Sequence, residues 1–129
     1  MGDQNGESIM ERKYDLESRL IEFASAVISF TDSMINSKAG NHMANQLLRS
    51  GTSPALNYGE AQSGESRKDF IHKLKIVLKE LRESRVALKI IAKSNLHSDS
   101  KRIESLISES NQLISIFVKS IETAERNNI

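Results

Sequence analysis

Apolar residues recur along most of this chain in steps of four and three, the spacing that lines one side of an α-helix. From about Tyr14, the positions Leu16, Leu20, Phe23, Val27, Phe30 and Met34 form one such line, and Ile21, Ala24, Ile28 and Ile35 widen it. The pattern predicts a first helix that closes between Ser37 and Gly40, with Gly40 in the left-handed conformation and Asn41 capping the next helix. A second helix is predicted from about His42 to Gln62, where Met43, Leu47, Ser50, Pro54, Tyr58 and Ala61 line up beside a row of mostly small residues, Ala44, Leu48, Gly51, Ala55 and Gly59. Pro54 cannot donate to the carbonyl of Ser50 and crowds it, at a cost of about 3 kcal/mol, so a bend is predicted there in preference to a break into two helices.

The third helix, Ser66 to Lys93, has the most regular pattern, with Phe70, Leu74, Val77, Leu81, Ser84, Leu88 and Ile91 in strict alternation. Ser66 followed by Asp69 resembles a capping box with Asp in place of Glu. A fourth helix, capped by Ser98 or Asp99, carries Ile103, Leu106, Ser110, Leu113, Phe117 and Ala124, with Ile107, Ile114 and Ile121 alongside. Residues 1–12 show no period and are predicted to be a flexible arm, which leaves 13–127 as the folded domain.

Four helices of similar length joined by short connections predict an all-α fold, an antiparallel up-down-up-down four-helix bundle. Each helix carries more apolar width than a single bundle consumes, which predicts a homo-oligomer.

Charge changes this picture at one place. The chain is nearly balanced, at +1, but the far side of the third helix reads Lys68, His72, Lys75, Lys79, Arg82, Val86, Lys89 and Lys93 at the same spacing as the core line. Few acidic residues stand four positions away to neutralise it. Lys68, Lys75, Lys79, Arg82, Lys89 and Lys93 are therefore the candidate contacts for RNA or DNA, bound through phosphates and without base readout, since no aromatic residue interrupts the line.

The sequence carries few groups suited to catalysis or metal binding. Without Cys there are no disulfides, thiolate nucleophiles or Cys-based zinc sites, in keeping with a cytoplasmic protein. No apolar run approaches the roughly 18 residues of a membrane span. Asp69 and His72 give one carboxylate-x-x-His spacing with no second copy, and His42 and His97 near helix ends are predicted to be solvent-exposed, so neither a metal nor a cofactor is predicted. No phosphate-binding glycine loop or nucleophile turn is present, and the chain reads as a non-enzyme. The polar line Arg49, Ser53, Asn57 and Glu60 reads as a structural network rather than an active site, with Glu80 or Glu83 as the carboxylate that receives Arg49.

The segment Gln46 to Gln62 (QLLRSGTSPALNYGEAQ), the segment Ser66 to Ile91 (SRKDFIHKLKIVLKELRESRVALKII) and DLESRLIEFASAVI in the first helix resemble the four-helix-bundle proteins encoded by intervening sequences of bacterial 23S rRNA genes. The residues that carry the resemblance are Arg49, Ser50, Ser53, Asn57 and Glu60 on the second helix and Asp69, Phe70 and Glu83 on the third, while Pro54 departs from the branched apolar residue of the pattern. The resemblance implies a homopentameric ring and no defined biochemical role. A looser similarity, to accessory proteins of diversity-generating retroelements, implies a basic pentamer that binds a reverse transcriptase and nucleic acid. Two functions fit these features: an oligomeric module that binds nucleic acid, or a protein-binding scaffold or accessory subunit without nucleic-acid contact.

Overall fold

The computed structural model describes residues 4–64 and 66–127, with side-chain environments from Asp15 onward. Its four helices are α1 (Gln4–Thr31), α2 (Lys38–Gln62), α3 (Arg67–Lys93) and α4 (Ser100–Arg126). Of the arm predicted over residues 1–12, residues 1–3 lie outside the described residues. From Gln4 the backbone is already helical, ahead of the predicted start at Tyr14. Helix-forming residues at Glu7, Met10, Glu11, Arg12 and Lys13 allow this without any apolar period.

The starts of α2, α3 and α4 each have a side-chain cap. Ser37 accepts from the Gly40 amide, Ser66 from the Asp69 amide and Asp99 from the Arg102 amide, at 3.0, 3.1 and 3.1 Å. The first of these corrects the boundary between α1 and α2. Helix α1 stops at Thr31, and Gly40 sits in the first turn of α2 rather than closing α1. No glycine among the described residues has a positive φ. A Cβ on Gly40 would fall 1.9 Å from the carbonyl oxygen of Ile35, so close backbone approach, not left-handed geometry, explains the glycine.

Helix α2 runs through Pro54 without a break, and the proline ring is fully buried. Its packing against the core offsets the lost backbone bond. Gly51 lets α2 approach α1, since a Cβ there would meet the side chain of Val27 at 2.8 Å.

The helices pack in chain order, α1 on α2, α2 on α3 and α3 on α4, and the loosest contact, α1 on α4, completes the circuit. The backbones of diagonal pairs stay apart, and side chains such as Tyr58 of α2 and Phe117 of α4, whose rings meet edge to face with centroids 5.6 Å apart, fill the space the four helices enclose. Leu20, Phe23, Val27 and Phe30 fill it from α1, and Leu47, Pro54 and Tyr58 from α2. The α3 line is buried from Leu74 to Ile91, with Phe70 half-buried, and α4 contributes Leu106, Leu113 and Phe117. Each large side chain so buried contributes about 1.5–3 kcal/mol.

Polar side chains also lie inside, among them Ser50, Ser84, His97 and Ser110. Ser84 Oγ shares hydrogen bonds of 3.0 Å with Ser50 Oγ and with the carbonyl oxygen of Glu80. At one end of the bundle His97 is buried, which corrects its predicted exposure. Its ring stacks on Phe30 with centroids 3.8 Å apart, Nδ1 accepts from the Asp99 amide at 3.0 Å, and Nε2 faces the Phe30 carbonyl oxygen at 3.0 Å. With Nδ1 accepting, Nε2 is the nitrogen that donates. Asn95, at φ 55, turns the chain sharply enough to bring His97 back under the end of α1.

Candidate nucleic-acid interface

Burying Leu74, Val77, Leu81, Leu88 and Ile91 toward the core turns the opposite side of α3 outward. Lys68, His72, Lys75, Lys79, Arg82, Val86, Lys89 and Lys93 all lie on that outer side, Lys79 and Val86 at its edges beside α2. From Lys68 to Lys93 the line extends about 37 Å at the rise of an α-helix. Lys75 alone of its lysines and arginine has an ion-pair partner among the described residues, Glu125 of α4 at 2.9 Å. Both groups are half exposed, and a pair of that kind contributes under about 1 kcal/mol. Lys93 also lies in the last turn of α3, where positive charge complements the helix dipole.

The polar residues singled out on α2 do not form one network. Arg49 spans two carboxylates of α3, with Nη1 on Glu80 at 2.9 Å and Nη2 on Glu83 at 2.6 Å. The hydrogen bond to Glu83, followed by the charge of Glu80, raises the guanidinium pKa above its ordinary value. Asn57 Nδ2 donates instead to Ser53, to Oγ at 2.8 Å and to the backbone oxygen at 3.0 Å, a contact one turn apart on the same helix. Glu60 pairs with Lys73, a residue that the sequence pattern did not single out. Glu80 is 9% exposed and Arg49 is 54% exposed, so the pair lies at the edge of the core.

Beside Arg49 runs a groove between α2 and α3 of about 680 Å³. Its floor is apolar, from Met43, Val86, Ala87 and Ile90, while Arg49, Lys79 and Arg82 supply positive charge around it. The interruption of the basic line by Val86, one turn before the exposed Ile90, was the sequence signal for this groove. The contribution of α2 through Met43 depends on the register between the helices, which periodicity does not report. Among the described residues no group of three His, Cys, Asp or Glu could hold a metal ion, and no helix is long and apolar enough to cross a membrane.

No curated protein sequence matches this chain. Among solved structures, a crystallised protein of unknown function from the S23 ribosomal protein family of Bacteroides thetaiotaomicron is similar, with 30% identity and a TM-score of 0.76. The match covers 82% of this chain and 97% of that one. The profile of the 23S rRNA-intervening sequence proteins matches residues 12–119, and the chain belongs to that family.

Proposed function

We propose that this protein is a non-enzymatic, oligomeric bundle that binds nucleic acid without sequence preference through the outer line of α3. One observation carries the reading: Lys68, Lys79, Arg82, Lys89 and Lys93 lie on one side of one helix and have no ion-pair partner among the described residues. Like charges at i+4 cost a few tenths of a kcal/mol per pair, and phosphates would relieve that repulsion. The ribosomal family of the Bacteroides neighbour makes RNA the polymer to test first.

The reading includes an antiparallel up-down-up-down bundle and a homo-oligomer, with the pentamer as the assembly to test. In support of the first, Arg49 pairs with Glu83 and Glu60 with Lys73 across α2 and α3, and Arg85 with Asn111 and Lys75 with Glu125 across α3 and α4. Rising numbers on one helix meet falling numbers on the next. In support of the second, Ile21, Ile28, Leu48, Leu56, Val86 and Ile90 remain exposed on a single copy.

The test is retention of single-stranded RNA and duplex DNA across a salt series. The three cations Lys68, Lys89 and Lys93, at one phosphate each, contribute about −2 to the log–log slope on a single strand. Lys68→Glu, Lys89→Glu and Lys93→Glu combined should abolish retention at low salt and leave helix content unchanged. Retention that survives the triple reversal overturns the reading.

A further inference from the structure

Among the described residues, five of the seven large apolar side chains left exposed, all but Ile35 and Leu56, fall on two adjacent walls of the bundle. One is the α2–α3 groove, with Val86 and Ile90 beside Met43 and Ala87. The other lies between α1 and α2. On α1, Arg19 and Ser29 turn toward α4, where they meet Glu109 and Arg102. Ile21 and Ile28, seven residues apart, lie on the other flank, toward α2. On α2, Leu48 and Ala55 step three and four residues from Gly51, which touches α1, so they edge the same wall. Helix α4 offers no comparable wall; its outer side carries Ser105, Ser108, Asn111, Gln112 and Ser115.

The two walls have opposite charge. Along α1 and just beyond it stand Asp15, Glu17, Glu22 and Asp32, and Arg19, the cation between them, is bound to Glu109. Glu17 and Glu22 border one cleft with Ile21, which places both carboxylates beside that isoleucine. In the groove, Glu83 is answered by Arg49, while Lys79 and Arg82 have no ion-pair partner among the described residues.

We propose that the α2–α3 groove receives the α1–α2 wall of a second copy of this chain, with Ile21 and Ile28 over Val86 and Ile90 and the carboxylates Glu17 and Glu22 facing Lys79 and Arg82. This rests on the self-association proposed above and names its contact. Either wall against itself would bring like charges together, so a two-fold pairing through one wall is disfavoured and the contact is head-to-tail. Walls on opposite sides of the bundle would run the copies into a filament. These walls share α2, so each added copy turns relative to the last, and a turn that divides the full circle gives a closed ring. The basic line of α3 is thereby divided. Lys79 and Arg82 serve the neighbouring copy, and Lys68, Lys89 and Lys93 stay open to phosphates.

Mass by light scattering and sedimentation, on the full chain without nucleic acid, tests this. Lys79→Glu with Arg82→Glu should weaken self-association by at least about tenfold, and so should Glu17→Lys with Glu22→Lys. All four substitutions in one chain exchange the signs of the two walls and should restore the assembly. Ile28→Ser, which touches no charge, should also weaken it. These side chains lie at or near the surface, and circular dichroism identifies any variant that fails to fold. Pair reversals that keep the full mass, or a fourfold variant that stays dissociated while folded, overturn this contact and leave self-association standing. A wild-type chain that is monomeric overturns both. A groove that binds only a foreign acidic helix would appear as a monomer whose affinity for that helix falls with Arg82→Glu, and this also overturns the proposal.

Discussion

Arg49 holds two carboxylates of unequal burial, and their exposures decide what its loss costs. Glu83 is 40% exposed and water can replace the guanidinium there, whereas Glu80 at 9% cannot be rehydrated without movement. Removing one partner of a fully buried pair costs about 3–5 kcal/mol, but the half-exposed Arg49 reduces that. Arg49→Met should therefore destabilise by about 1–2 kcal/mol in urea unfolding, and Glu83→Gln by no more than about 0.5 kcal/mol. Tyr58 gives a second prediction at this scale. Burial raises its phenol above the ordinary 10.0, the charge of Glu17 acts the same way, and a hydrogen bond with Gln62 acts against both. The unfolded phenol ionises near 10, so between that value and the raised folded one the unfolded state loses its proton first. Stability is whole below about pH 10 and falls as pH rises through the folded value. Urea midpoints from pH 8 to 11 should fall less steeply for Tyr58→Phe than for the wild type. Sequence spacing brought Arg49 and Glu83 into view because both stand on regular helical lines. It did not bring in Lys73 as the partner of Glu60, since that contact depends on how two helices slide past each other.

Among the elements, α3 and α4 were the most legible, because an uninterrupted four-three pattern and a capping residue at each start mark the same boundaries. The junction of α1 and α2 was not. Gly40 signals a helix end by composition, but Ser37 caps α2 three residues earlier and the glycine is needed for the closeness of Ile35. That distinction predicts opposite outcomes for two glycines of one helix. Gly40→Ala must displace backbone 1.9 Å from the new Cβ and should cost at least about 2 kcal/mol. A Cβ on Gly59 meets nothing within 4 Å, so Gly59→Ala should gain about 1 kcal/mol from helix propensity alone. Thermal unfolding of the two variants, read against the wild type, checks both signs.

For the molecule as a whole, the excess apolar width was legible residue by residue, while the walls on which it falls depend on the packing of α1, α2 and α3 against one another. The same holds for the clasp at one end of the bundle. His97 sits near a helix terminus in the sequence, a place where histidines are ordinarily solvated, and only the return of the chain after Asn95 carries it beneath Phe30. This clasp matters because α1 and α4 meet less closely than any other neighbouring helices. Apart from Arg19 with Glu109 and Arg102 with Ser29, the end of α1 is held by the ring of His97, the Phe30 carbonyl and the bond of 2.9 Å from the Ile35 amide to the Leu96 oxygen. His97→Ala removes a stacked ring that is 6% exposed and leaves the Asp99 amide without its acceptor, so it should destabilise by about 3 kcal/mol. The effect should be graded along the bundle. Amide exchange should accelerate first at Ile35, Leu96 and Asp99 and least in the middle of α2 and α3, because the clasp closes one end and the α2–α3 core holds the rest. Uniform acceleration across all four helices would instead mean that this end opens only when the whole bundle unfolds.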